Sequence, residues 1–92
     1  MEITGIIIQA LPMRSGSNQN EIWRSQGFVL QTVDTYPKNF VFDVYDGKEG
    51  RLQRFNIQVG KQYTVFFTIR AHEHKGRWYN QVFTDDVREV KQ

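Results

Sequence analysis

Apolar and polar residues alternate at period two over five stretches of this sequence, and the gaps between them leave room for only a turn or two of helix. Such a chain folds as strands or not at all. In Met1 to Leu11, Ile6, Ile8 and Ala10 alternate with Ile7 and Gln9, and Gly5 suggests a bulge where the strand bends. Pro12 lacks an N–H and ends the pairing. Residues 14–20, Arg-Ser-Gly-Ser-Asn-Gln-Asn, read as a polar loop. A second strand runs from Ile22 to Val33, with Phe28, Leu30 and Thr32 on one face, Val29 and Gln31 on the other, and a second bulge expected at Gln26-Gly27. Pro37 fixes the following turn. In Phe40 to Tyr45, Phe40, Phe42 and Val44 should face the core. Val41, Asp43 and Tyr45 should face out, because burying the Asp43 carboxylate would be costly.

Asp46-Gly47 breaks this third strand. Lys48 to Phe55 then places Leu52 and Phe55 three apart, which predicts a short amphipathic helix able to cap a barrel, with Arg51 and Arg54 on its solvated side. The fourth strand is Gln62 to His72, with Tyr63, Val65, Phe67 and Ile69 inward and Thr64, Phe66, Thr68 and Arg70 outward. His74-Lys75-Gly76 is a tight hairpin turn. The fifth strand runs from Arg77 to about Val87, with Asp85-Asp86 capping its end and a polar terminus after it. The fold class this predicts is all-β: a five-stranded OB-fold Greek-key barrel with one short helix between strands three and four, occupying residues 1–92 as one domain. An SH3-like barrel is the nearest competitor, and it usually lacks that helix.

A chain of 92 residues builds one modest core, and without cysteines it has no disulfide or thiolate metal site to help. No apolar run approaches the ~18 residues of a membrane span. Ile6 to Ile8 is too short for a signal-peptide core, so a soluble, cytoplasmic protein is expected. The net charge of +2 permits a polyanionic partner without requiring one. Aromatic residues, at 14%, exceed what a small core needs, so some rings should lie on the surface.

Several stretches carry a family resemblance. Phe28-Val29-Leu30-Gln31-Thr32 resembles the second-strand signature of bacterial single-stranded-DNA-binding proteins, and Phe40 to Tyr45 resembles their third strand. Residues 55–65 are similar to their entry into strand four, and Glu73-His74-Lys75-Gly76-Arg77-Trp78-Tyr79 to their last hairpin. The chain is more similar still to short single-domain OB proteins of Bacteroidetes, of the domain of unknown function 3127 type, which begin Met-Glu-Ile-Thr-Gly and carry a Gly-Arg-Trp-Tyr hairpin. The resemblance implies an OB barrel that binds single strands. Ending in Val90-Lys91-Gln92, the sequence departs from the acidic tail of the DNA-binding proteins, so partner recruitment by that route is not expected. Its first loop also holds few basic residues.

Single strands are held by cations that track phosphates and by aromatic faces on which bases stack. In an OB barrel the platform is the outer face of strands two and three, flanked by the first and last hairpin loops. The residues that fall there are Trp23 and Arg24 opening strand two, Tyr45 on strand three, Arg70 and His72 on strand four, and Lys75, Arg77 and Trp78 at the last hairpin. Arg14 and Lys38 could add phosphate contacts. Strict alternation requires Trp78 or Tyr79 to point inward, without saying which. His72-x-His74 puts two imidazoles on one side of a strand, but zinc needs one or two more ligands. No nucleophile–base pair or phosphate-binding glycine loop is present, so neither an enzyme nor a cofactor is indicated. The expected function is single-stranded nucleic-acid binding, most simply of DNA, without strong sequence preference. The alternative is a protein-interaction OB module, and homo-oligomerisation fits either.

Overall fold

The computed structural model describes residues 1–18, 21–47 and 50–91. Among these, six strands and one short helix follow in order: β1 Glu2–Ala10, β2 Arg14–Asn18, β3 Glu21–Thr32, β4 Asn39–Asp46, α1 Arg51–Phe55, β5 Gln62–His74 and β6 Arg77–Glu89. The strands form one antiparallel sheet in the order β2-β3-β1-β5-β6, with β4 along the other edge of β3. The fold is all-β and barrel-like. Its ends meet where Thr84 Oγ1 of β6 donates to the Asp43 carbonyl of β4 at 2.8 Å.

The alternation sets the core. Ile7, Phe28, Leu30, Phe42, Val44, Tyr63, Val65 and Val87 are buried together. Phe28 stacks on Phe42 with ring centroids 5.7 Å apart, and Phe40 tilts against Phe67 at 4.9 Å. Leu52 and Phe55 of α1 pack on this cluster, so the helix caps the barrel as expected, between the third and fourth of the long strands. The Tyr63 hydroxyl accepts from the Gln58 amide at 2.8 Å and donates to the Asn56 carbonyl at 3.3 Å, fixing the chain between helix and β5.

Three local expectations change. Arg14–Asn18 is a sixth strand rather than a loop, paired with Glu21–Ser25 of β3. Its Ser, Gly and Asn residues carry no strand signal of their own, and the ladder to β3 imposes the conformation. The irregularity in β1 falls between Ile7 and Gln9 rather than at Gly5. Gly5 instead lets the Gln31 backbone and the Leu30 side chain come close. At Gln26-Gly27 β3 does not bulge against β4; there it changes partners, from β2 up to Ser25 to β1 from Phe28. The helix is seen over Arg51–Phe55; Lys48, where its expected range began, lies outside the described residues, as do Gln19 and Asn20 of the expected loop.

The largest departure is in proportion. β5 and β6 remain paired out to His74 and Arg77, well past the last core positions at Phe67 and Thr84. The hairpin from Thr68 to Phe83 therefore stands out as an arm, roughly 25 Å at about 3.4 Å per residue. The molecule measures 44 Å along its longest axis. Lys75 and Gly76 at the tip have φ of 51° and 78°, the left-handed pair that a two-residue hairpin turn requires. Asp85 is the extra residue of a bulge where the arm joins the barrel, not a cap at the strand end. Its carboxylate accepts from Thr68 Oγ1 at 2.7 Å.

Candidate functional site

With Phe28, Leu30, Phe42 and Val44 inward, alternation turns Trp23, Ser25, Gly27 and Val29 of β3 and Val41, Asp43 and Tyr45 of β4 outward. Trp23 sits opposite Gly16 of β2, and its ring lies directly over that glycine: a Cβ there would stand 2.5 Å from Cζ2. Held in this way, Trp23 stacks with Tyr45, their centroids 5.8 Å apart and their planes 16° apart. Tyr45 is 57% exposed and Val41 52%, so the platform presents apolar surface to solvent.

Beside the platform lies a groove of about 680 Å³. Val41, Asp43 and Tyr45 line one side, Asn80 to Thr84 of the arm's base the other, and Ser25 and Arg51 complete it. Arg51 is more than a solvated helix residue. Its Nη2 donates to the Thr84 carbonyl at 2.8 Å, and its guanidinium lies 5.3 Å from the Phe55 ring centroid, so it ties α1 to β6 at the groove. A smaller cleft of about 270 Å³ adjoins it, sharing Ser25 and Asp43 and adding Leu11, Pro12, Arg14 and Gly27.

The arm has two solvated faces. One continues the outer face of the barrel and carries Thr68, Arg70, His72 and His74 opposite Phe83, Gln81, Tyr79 and Arg77. On it the Arg70 guanidinium lies 5.3 Å from the Phe83 ring centroid, and His72 stacks with Tyr79 at 5.8 Å. The other face carries Ile69, Ala71 and Glu73 opposite Val82, Asn80 and Trp78. Neither Trp78 nor Tyr79 is a core residue, at 70% and 45% exposure, because the barrel ends before the arm reaches them.

Alternation thus puts Trp23, Tyr45, Arg70 and His72 on the outward side of the sheet, with Lys75 and Arg77 at the far end of the arm; of these, Tyr45 lines the groove. The structure separates three other candidates from them. Arg24 points to the opposite side of β3 from Trp23 and pairs with Asp46, Nη2 to Oδ2 3.8 Å. Trp78 occupies the reverse face of the arm. Lys38 immediately precedes β4, about 23 Å along the strand direction from Tyr45 at about 3.3 Å per residue. Arg14 opens β2 opposite Ser25 and lines the smaller cleft. Sequence reasoning missed Phe83, Gln81, Asn80 and Arg51; Gln81 and Phe83 were legible as the residues two and four beyond Tyr79 on its own face.

β4 ends at Asp46, as expected, and Asp46 is in addition a buried anchor. The Leu52 amide donates to its Oδ2 at 3.0 Å. That bond, with the amides of Arg51 and Gly50 and the charge of Arg24, holds its carboxyl below the usual aspartate range against the opposing effect of burial. The carboxylate thereby fixes the start of α1, and with it Arg51 at the groove.

The family described as "Domain of unknown function (DUF3127)" matches residues 2–86. The chain belongs to this family. The matched span takes in the platform, the groove and the whole arm, so the candidate site lies entirely within the DUF3127 domain. No curated protein and no solved structure matches the chain. Among the described residues no helix is long and apolar enough to cross a membrane.

Proposed function

We propose that this DUF3127 domain is an OB barrel that binds single-stranded nucleic acid, DNA in the first instance, by stacking bases on its outer face and pairing phosphates with its arm. The observation that carries this reading is the Trp23–Tyr45 stack, with Tyr45 exposed, across the groove from Phe83, over which Arg70 lies; His72 stacks with Tyr79 farther along the same face of the arm. Rings with one face free and cations beside them are the two elements of sequence-tolerant strand binding. The arm from Thr68 to Phe83 holds three Arg or Lys residues and one carboxylate, Glu73, which lies on its reverse face.

A tryptophan-fluorescence titration with oligonucleotides tests this. Binding should quench the emission, and Tyr45→Ala should weaken affinity by about 1–3 kcal/mol, the contribution of one stacked base. Contacts from Arg70, Lys75 and Arg77 to three phosphates predict a log–log salt slope of about −2, at about 0.7 per phosphate. No quenching and no mobility shift at low salt would refute the reading.

The reverse face of the arm supports a second reading, contact with protein, including another copy of this chain. Trp78 and Ile69 stand exposed there, outside the groove. If so, Trp78→Ala lowers the molar mass measured by light scattering while leaving oligonucleotide affinity unchanged.

A further inference from the structure

Stacking and phosphate pairing treat all bases alike, but one residue of the groove does not. Asp43 is on the same outward row as Tyr45, two residues away, so the two side chains stand about 7 Å apart along the strand. It is exposed, and it lines both the groove and the smaller cleft. Among the described residues no ion pair and no side-chain hydrogen bond engages its carboxylate, and its backbone carbonyl accepts from Thr84 Oγ1. Opposite it in the ladder stands Gly27, where a Cβ would come within 2.9 Å of Asp43 Oδ1. The missing side chain leaves room for the carboxylate to lie against β3, beside the aromatic platform.

This charge orients a strand. Phosphates are repelled from Asp43 and attracted to Arg70, Lys75 and Arg77, so the backbone belongs on the arm side of the groove and the bases on the β3–β4 side. A base stacked on Tyr45 then turns an edge toward a group that only accepts hydrogen bonds. The amino group of cytosine, N4–H₂, donates to it; O4 of thymine or uracil is an acceptor and is repelled.

We propose that Asp43 makes one base position of the groove selective for cytosine over thymine or uracil. This rests on the strand-binding reading above and sharpens it: most of the site tolerates any base, and this position selects an exocyclic amino group.

The test is fluorescence anisotropy on the full chain at neutral pH and low salt, with 5′-labelled oligo-dC and oligo-dT of equal length. The wild type should bind oligo-dC about fivefold more tightly, the scale of one charge-assisted hydrogen bond open to solvent. Asp43→Asn offers both a donor and an acceptor. It should bring the ratio close to one, chiefly by tightening oligo-dT. Its melting curve should match the wild type, because the carboxylate holds no part of the fold together. Equal wild-type affinity for the two strands, or a cytosine preference that persists in Asp43→Asn, overturns the assignment of Asp43 while leaving strand binding intact. Failure of both strands to bind overturns the strand-binding reading and this proposal with it.

Discussion

Gly16→Ala is the smallest change that tests how the platform is built. A Cβ at this position would meet Trp23 Cζ2 at 2.5 Å, Cε2 at 2.6 Å and Nε1 at 2.8 Å, where ordinary contact begins near 3.4 Å. All three atoms belong to one rigid indole, so the ring must lift by about 0.9 Å. Its centroid is already 5.8 Å from that of Tyr45, and favourable aromatic pairs end near 7 Å. A lift of this size takes the separation to about 6.7 Å at most, near that limit, and so weakens a pair interaction of about 0.5–1.5 kcal/mol. Replacing glycine within a strand returns about 0.5 kcal/mol through the unfolded chain. The two nearly cancel, so global stability should change by no more than about 0.5 kcal/mol, a few degrees at most for a domain of this size. The informative measurements are local. Near-ultraviolet circular dichroism should lose the tryptophan band generated by the stack, and in urea unfolding the cost of Tyr45→Ala should be smaller in the Gly16→Ala background than in the wild type. An unchanged band together with additive unfolding energies would show that Trp23 does not rest on Gly16, and the platform argument would fail with it.

Three further predictions concern the frame around the site. Asp46 has a carboxyl lowered from its ordinary value in the fold, so its stabilisation is complete above about pH 4 and is lost as pH falls below that toward the lowered value. Asp46→Asn should lower the urea midpoint at pH 7 and flatten the loss of stability between pH 4 and pH 2. Thr84→Val keeps the shape of the side chain but leaves the Asp43 carbonyl without its 2.8 Å donor at the closure of the barrel; urea unfolding should show a loss of about 1–3 kcal/mol. Arg70 pairs with Gln81, so replacing residues 71–80 with Asn-Gly shortens the arm on a two-residue turn. The melting temperature should move by only a few degrees, while oligonucleotide affinity falls at least tenfold.

The barrel was legible because its strands are half-buried, and half-burial writes itself into sequence as alternation. Phe28, Leu30, Phe42, Val44, Tyr63 and Val65 all face the core as their spacing predicts. Alternation does not record where packing stops. Ile69 and Val82 continue the apolar row of β5 and β6 beyond the last core positions, Ile69 exposed and Val82 half-buried, and so the arm reads as barrel wall and Trp78 or Tyr79 as core. The platform was half legible. Trp23 and Tyr45 could be placed outward by counting from the core positions, and the same count applied to Arg24 sends it to the opposite side. The role of Gly16 was hidden, since a glycine in a Ser/Asn-rich stretch looks like a loop until the ring above it is seen. Asp46 was hidden for a related reason: a carboxylate at the end of a strand looks like a turn residue, and the amide it captures belongs to a helix six positions on.

The arm leaves its mark on how the molecule opens. From Thr68 to Phe83 almost every residue is exposed, so the ladder joining β5 to β6 is held by backbone hydrogen bonds and surface pairs with water on both sides. The barrel end of the same hairpin is locked by Tyr63, Val65 and Val87 in the core. One hairpin thus contains two levels of stability, and amide protons of its outer half should exchange with solvent many times faster than those of its inner half, through openings that leave the barrel closed. A ligand that stiffened the arm would have to supply the ordering free energy at the moment of contact, and slowed exchange over Thr68–Phe83 would map its footprint without any variant being made.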